Sequence, residues 1–475
     1  MSFLAYDLVL LGIFVISLGI FLIRKRKEVK KEGLLLLHKT KWGVNLIHKV
    51  GEKHQKALKV LGYVSITLGY MLMAGMIYLV GRIVWVYVFN PEIVKAIKVP
   101  PITPLIPYLP QIFKLSLPPF YFIYWILIIA VIAITHEFAH GIFAARSKVK
   151  IKSTGFGFFP FFLPVFLAAF VELDEKKMAK KKISDQLAIL SAGTFANVLT
   201  AVLFSGIMLL FFSLAFAPSG VVFDSYPYNS VAVSSILAVN NISMNNLSYP
   251  ALLDSLNETG LNEIGTDSGR YLATKSFIGR QNSTPDELIL YYDAPAIRAN
   301  LESIILSING EKVANVSKLA EELHKYAPGT MVTLTVIGDD NEPYDRDIIL
   351  GKNPEDETQS WLGVGFYPKE TPGLFTYIYN KLFSLTREHV YYASRIGDAG
   401  IFVYHLLWWL IVISVSVAFM NMLPTGIFDG GRFFYLTVLG ITKKENVAKI
   451  AYKIATYFFL AVLFVVMFFW VKAFF

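Results

Sequence analysis

Cysteine is absent from this chain of 475 residues. Disulfides and thiolate metal sites are thereby excluded, and histidine, aspartate and glutamate are left as the plausible ligands of any metal. Charge is also scarce: Asp, Glu, Lys and Arg make up 17% against 55% hydrophobic residues, and the mean hydropathy is +0.52. So apolar a chain is no ordinary soluble protein, and its length leaves room for several membrane spans plus a separate domain. The formal charge of +9 invites a nucleic-acid reading. The Lys and Arg residues, however, collect beside hydrophobic segments, where they act as topology signals facing anionic lipid, so no nucleic-acid partner is expected. A cleavage site is missing too. Residues 3–23 are followed by Arg24-Lys25-Arg26-Lys27 and not by small residues, so this first apolar segment is expected to stay as an anchor.

What is present is a series of bilayer-length apolar segments. Residues 3–23, 60–89, 120–146, 187–216, 402–420 and 452–474 each have the length and composition of a span, which predicts a polytopic α-helical membrane protein with about six crossings. The basic stretch 24–59 marks the cytoplasmic side. Within it, residues 34–37 and 42–47 read as apolar patches for interfacial docking, with a short pairing element as the alternative. Eight prolines between residues 90 and 119 forbid continuous helix and leave either a connector or a lid. A Gly- and Pro-broken apolar segment from Gly155, ending in Glu172, Asp174 and a basic run, reads as a re-entrant hairpin or a membrane-dipping sheet.

The third span carries His136-Glu137-Phe138-Ala139-His140. On a helix the two histidines, four apart, point from one face and can share a metal ion, while Glu137 stands beside a water on it. The motif is short and also arises by chance in helices that merely pack. Its depth argues otherwise, since ionisable groups inside a membrane are costly and mark function. From His140 to Arg146 is about 9 Å of helix, so the site lies near the cytoplasmic face. The fourth span holds Gly193 and Asn197 on one helical face, suited either to close helix packing or to a substrate contact. The fifth span ends in Asn421-Met-Leu-Pro424-Thr-Gly-Ile-Phe428-Asp429-Gly430-Gly431. Pro424 breaks the helix, and Asp429 sits at membrane depth without a partner, which complements a histidine pair short of a ligand.

Residues 218–370 differ in character, with 10 Lys/Arg against 21 Asp/Glu, a net of −11. An acidic region on the side opposite the basic loops is expected to be extracytoplasmic, as five N-x-[ST] sequons at Asn241, Asn246, Asn257, Asn282 and Asn315 also suggest. It contains a repeat: the segment from Ile236 lines up with that from Ile305 at a spacing of 69 residues. Each copy predicts a strand, an Asn-Asn or Asn-Gly turn, a short strand and an amphipathic helix. The second copy, from Ser303 through Pro328-Gly329 to Val336, resembles the second half of a PDZ domain, a module that accepts peptide tails by strand addition. Gly220-Val-Val-Phe223 with the first copy reads as a second, diverged unit of the same kind.

Taken as a set, His136-Glu137-x-x-His140, Gly193-x-x-x-Asn197 and Asn421-x-x-Pro424 running into Phe428-Asp429-Gly430-Gly431 resemble the site-2 protease family of intramembrane zinc metalloproteases. Phe428 stands where that family usually has Leu. The resemblance implies hydrolysis of a peptide bond within or next to a transmembrane segment of membrane-protein substrates, usually ones already shortened by another protease. It implies one Zn²⁺ per chain on His136, His140 and Asp429, with Glu137 as the catalytic base. Asn197 and Asn421 would position the substrate strand or the oxyanion, and Gly193, Pro424, Gly430 and Gly431 would shape the site. The expected division is 1–119 for the first two helices, basic loop and Pro-rich loop, 120–217 and 371–475 for the two halves of a catalytic core in the cell membrane, and 218–370 for an inserted α+β PDZ-like region taking peptide tails. Two rivals stand beside this reading: a catalytically silent membrane scaffold, and an ion-path transporter, which predicts inverted repeats that the membrane halves do not show.

Overall fold

The computed structural model describes residues 3–32, 35–90, 94, 105–115, 117–158, 167–244, 248–281, 287–338, 342–367 and 385–472. The sequons at Asn246 and Asn282, Leu34, and much of the Pro-rich and Gly155-to-Pro164 segments lie outside them. The chain divides into two compact units, one of Met1–Leu210 with Ile401–Phe475 and one of Phe211–Gly400.

In the first unit the long helices are α1 (Phe3–Arg24), α3 (Gln55–Phe89), α4 (Phe122–Arg146), α5 (Ile183–Ala215), α6 (Asp398–Asn421) and α8 (Glu445–Lys472), with the shorter α2 (Val44–Lys53) and α7 (Asp429–Thr442). Six of these are long and apolar enough to cross a membrane. They are apolar around their whole circumference, as helices facing lipid on one side and protein on the other must be. Their mutual packing is by shape. Phe143, Ile189, Met422 and Phe433 form one buried cluster, and Phe122, Trp125, Ile128 and Trp409 another. Ser65 and Ser191 add a hydrogen bond of 2.7 Å between α3 and α5, worth about 0.6 kcal/mol in such a setting.

Strands β1 (Val29–Glu32), β2 (Leu35–Thr40), β3 (Ile151–Phe158) and β4 (Leu167–Leu173) make one antiparallel sheet in that order. Of the two readings offered for residues 34–37, the described residues show the short pairing element. Leu36 and Leu37 lie in a strand paired to β3, and Ile47 of α2 is fully buried among Phe138, Ile142 and Ala145 of α4. Trp42 and Leu46 of the second stretch remain exposed, and the strand at 35–40 satisfies its backbone groups through β1 and β3. For the segment from Gly155 the described residues form a sheet.

In the second unit, β5 (Phe216–Val222), β12 (Ile304–Ile308), β14 (Met331–Ile337), β15 (Pro343–Ile349) and β16 (Val390–Ser394) form one sheet, ordered β15-β14-β12-β5-β16, with β13 (Glu311–Lys312) paired to β12. A second sheet runs β6-β11-β10-β9-β7-β8, from β6 (Tyr228–Ala232), β7 (Ile236–Val239), β8 (Ile242–Ser243), β9 (Asn262–Thr266), β10 (Gly269–Ala273) and β11 (Glu287–Tyr292). Each sheet has its own core, around Ile305, Leu319 and Leu334 in the first and Ile264, Leu252 and Leu288 in the second. The repeat is visible in both. β7, β8 and the helix Tyr249–Ser255 match β12, β13 and the helix Val316–Leu323. Both turns take two consecutive positive φ values, Asn240 (50°) and Asn241 (67°) against Asn309 (48°) and Gly310 (81°), the conformation that Asn and Gly tolerate in tight hairpins. Here too one expectation is corrected. Gly220 to Val222 does not join the first copy: Val221 pairs with Ile305 of the second, so one module is inserted within the other. Apolar β5 could pair with either sheet, and long-range packing made the choice.

Candidate metal centre

The centre is assembled from three helices whose residues are far apart in sequence. On α4, His136 and His140 are both buried, each 8% exposed. Their Nε2 atoms approach to 3.0 Å, and Asp429 Oδ2 lies 3.4 Å from the first and 3.2 Å from the second. Asp429 is the first residue of α7, reached from α6 through the tight turns after Asn421. His140 Nδ1 donates to the Ile189 carbonyl of α5 at 2.6 Å, which leaves the Nε2 of a neutral ring with a bare lone pair turned to the cluster. Two imidazole lone pairs and a carboxylate oxygen thus converge, an arrangement that could hold a metal ion.

The fit to a metal can be tested on distance. Ligands held at about 2.0–2.1 Å from a tetrahedral zinc lie about 3.3 Å from one another; the separations of 3.0, 3.2 and 3.4 Å match. The surroundings match as well. Outer partners that fix the tautomer of metal-bound histidines are part of such sites, and both rings have one. Asn197, fully buried on α5, sets its side-chain amide 3.0 Å from His136 Nδ1. The amide nitrogen faces the ring, while Oδ1 has no partner. A ring whose Nε2 faces the cluster carries its proton on Nδ1, so turning the amide over satisfies both groups. One turn earlier on α5, a Cβ at Gly193 would stand 2.4 Å from His140 Nε2 and 2.5 Å from His136 Nε2. Only glycine leaves that space open.

The M50 peptidase family model matches residues 124–466, a span that contains every residue of this cluster. The chain belongs to peptidase family M50. Its six long apolar helices, with that membership, make it a multi-pass helical membrane protein. The resemblance carried by the three motifs is to this family. An uncharacterized protein of Methanocaldococcus jannaschii is 47% identical over 93 residues, 19% of this chain and 24% of that relative. The chain thus covers about a quarter of that relative's length.

In this M50 peptidase the remaining predicted residues take definite places. Glu137 Oε2 accepts from the Val171 N–H of β4 at 2.9 Å. The carboxylate lines a cleft of 380 Å³ shared with His136, Asn421, Phe428 and Asp429. Asn421 is therefore in the cleft, whereas Asn197 is against a ring. Pro424 is buried in the turn between α6 and α7, where Cβ atoms at Gly430 and Gly431 would stand 2.4 Å and 2.1 Å from the backbone of Met422 and Thr425. That close approach is what aims Asp429. A second cavity of 460 Å³ reaches Asp429 from its other side, lined by Arg432, Tyr435, Lys449 and Tyr452. Glu172 is occupied elsewhere: it accepts from Ser153 Oγ at 2.7 Å and Lys39 Nζ at 3.0 Å, bonds that hold its carboxyl below the usual range. The Ile189 carbonyl and the Val171 N–H were not legible in the sequence, because every residue type offers the same backbone groups.

Proposed function

We propose that this M50 peptidase is a zinc-dependent intramembrane endopeptidase that hydrolyses a peptide bond within or next to a transmembrane segment of its substrate. The observation that carries the reading is the convergence of His136, His140 and Asp429 beside a cleft lined by His136, Glu137 and Asp429, with both histidines and Glu137 on a helix of membrane length. One Zn²⁺ on these three residues would supply Lewis acidity toward the scissile carbonyl and toward water. Glu137, oriented by the Val171 N–H, takes the proton of the attacking water and passes it to the leaving amine. His140 is held in one tautomer by Ile189 and His136 by Asn197, so Asn197 acts on the ligand instead of the substrate. Asn421, at the cleft, is suited to hold the substrate chain or its developing oxyanion. The polar cavity beyond Asp429 offers water a path.

The substrates on this reading are membrane proteins already shortened by an earlier cut. The two nested modules of the second unit bind peptide tails as PDZ-like domains, a reading supported by the repeated strand, turn, strand and helix. Residues 218–370 are extracytoplasmic, in keeping with their net charge of −11 against +20 for the rest of the chain. Replacing Glu137 by Gln tests the mechanism: zinc should be retained, since no ligand is lost, while cleavage of a single-span reporter in lipid is abolished. Turnover near wild type would refute it and favour a scaffold.

A further inference from the structure

Helix α1 carries one acidic residue, Asp7, which is also its one buried side chain among those described. The Asp7 carboxylate accepts three hydrogen bonds. Oδ2 takes the Tyr108 hydroxyl at 2.6 Å and the Phe122 N–H at 2.7 Å, and Oδ1 takes the Ile123 N–H at 3.0 Å. Phe122 and Ile123 open α4, whose N-cap residue Tyr121 makes no side-chain cap of its own. Asp7 therefore caps the metal-bearing helix from a different helix, with its carboxylate on the positive end of the dipole. α1 and both capped amides precede the matched M50 residues, which begin at 124.

Tyr108, with φ of 65°, belongs to a stretch tied down at several points. Trp125 Nε1 donates to the Leu105 carbonyl at 3.0 Å, Tyr108 N to the Phe120 carbonyl at 2.7 Å, and Phe120 N to Gln111 Oε1 at 3.3 Å. Leu105 lines the catalytic cleft and, with Ile413 and Val417, also an adjoining apolar chamber of 610 Å³ whose wall continues through Leu109 and Pro110. With the Asp7 bond made, the cleft is still open, so the stretch is a wall and not a plug.

We propose that Asp7 is a positioning residue of this peptidase: it caps α4 and latches Tyr108, so that the wall from Leu105 to Pro110 is ordered in advance to receive the apolar segment of the substrate. The inference rests on the proteolytic reading above. Without the latch the substrate itself must order the wall, which weakens binding. His136 lies 14 residues beyond Phe122, about 21 Å along α4, so the chemical step and the metal are left alone.

The test uses the full chain in lipid nanodiscs, loaded with zinc, and the variants Tyr108→Phe, Asp7→Asn and the pair together. Tyr108→Phe removes one hydroxyl and leaves the bonds to Phe122 and Ile123 in place. It should raise KM for a single-span reporter about tenfold, with kcat and zinc content within twofold of wild type. Asp7→Asn should do at least as much, and the pair no more than the larger single effect, since both cut one latch. Hydrogen exchange in residues 105–115 should quicken in Tyr108→Phe while exchange around His136 does not. KM and exchange both unchanged in Tyr108→Phe, or KM effects that multiply in the pair, would overturn the proposal. Should the wild type cleave nothing, the proteolytic reading fails, and the exchange result alone decides whether the latch exists.

Discussion

Gly193→Ala is the sharpest probe of the metal centre, because the added methyl group points at the space enclosed by the ligand atoms. The new Cβ would lie 2.4 Å from His140 Nε2, 2.5 Å from His136 Nε2 and 2.5 Å from His136 Cε1, where ordinary contact begins at 3.4 Å. Both imidazoles, or α5 itself, must therefore retreat by about 1 Å, the difference between 3.4 and 2.4 Å. Metal–ligand bonds tolerate about 0.2 Å, so the displacement is about five times what the site can absorb. Losing one outer partner of a metal-bound histidine already costs about 10- to 100-fold in affinity. Zinc affinity is expected to fall at least 100-fold, about 2.7 kcal/mol. The fold is expected to survive, since Ala is favoured over Gly inside a helix by about 0.5–1 kcal/mol. Gly206→Ala, further along α5 with nothing within 4 Å of its Cβ, is the control and should keep metal and activity. Zinc stoichiometry after dialysis against a graded chelator and cleavage of a single-span reporter are the assays. A Gly193→Ala protein holding one zinc and cleaving within threefold of wild type would refute the geometry.

Asp429→Ala should lose both zinc and activity, while Glu172→Ala, whose carboxylate serves Ser153 and Lys39, should keep both; elemental analysis of the two purified variants decides between them. Asn197→Ala should lower zinc affinity about 10- to 100-fold through the His136 ring, and Asn421→Ala should keep zinc yet lose about 100-fold in kcat. The opposite pattern in metal titration and steady-state kinetics would exchange their roles. In the second unit, Tyr228 and Tyr291 are paired across β6 and β11, so their Cα atoms are only about 5 Å apart. Excising the residues between them and bridging with a short turn should leave the core around Ile305 and Leu334 protected in hydrogen exchange; loss of that protection would show that the inserted module is required for the outer one to fold.

Some of this molecule was written in the chain itself. Each of the six long helices contains or closely overlaps an apolar segment that could be counted off the sequence, because every backbone group of a spanning helix is satisfied within a few residues and no distant partner is needed. The pairing of His136 with His140 was legible for the same reason, since four residues of helix fix their common face. The repeated turns at Asn240-Asn241 and Asn309-Gly310 followed from local φ preferences. Wherever a partner lies far along the chain, residue type alone was insufficient. Asp429 was matched to the histidines by motif resemblance and by its want of a partner, but it is the packing of α7 against α4 that brings its carboxylate within 3.4 and 3.2 Å of their Nε2 atoms. Asn197 could have faced substrate or a helix neighbour, and the rotation of α5 turned it to His136 Nδ1. Strand β5 satisfied the pattern of either sheet, and closure of the Ile305 core claimed it. Nothing in the apolar pattern of the first segment singles out Asp7, and the fold sets it on the first turn of α4. Hydrophobic pattern and spacing specify elements, whereas partners across a hundred residues are chosen by shape and by the need to satisfy buried polar groups, and those quantities exist only once the chain has folded.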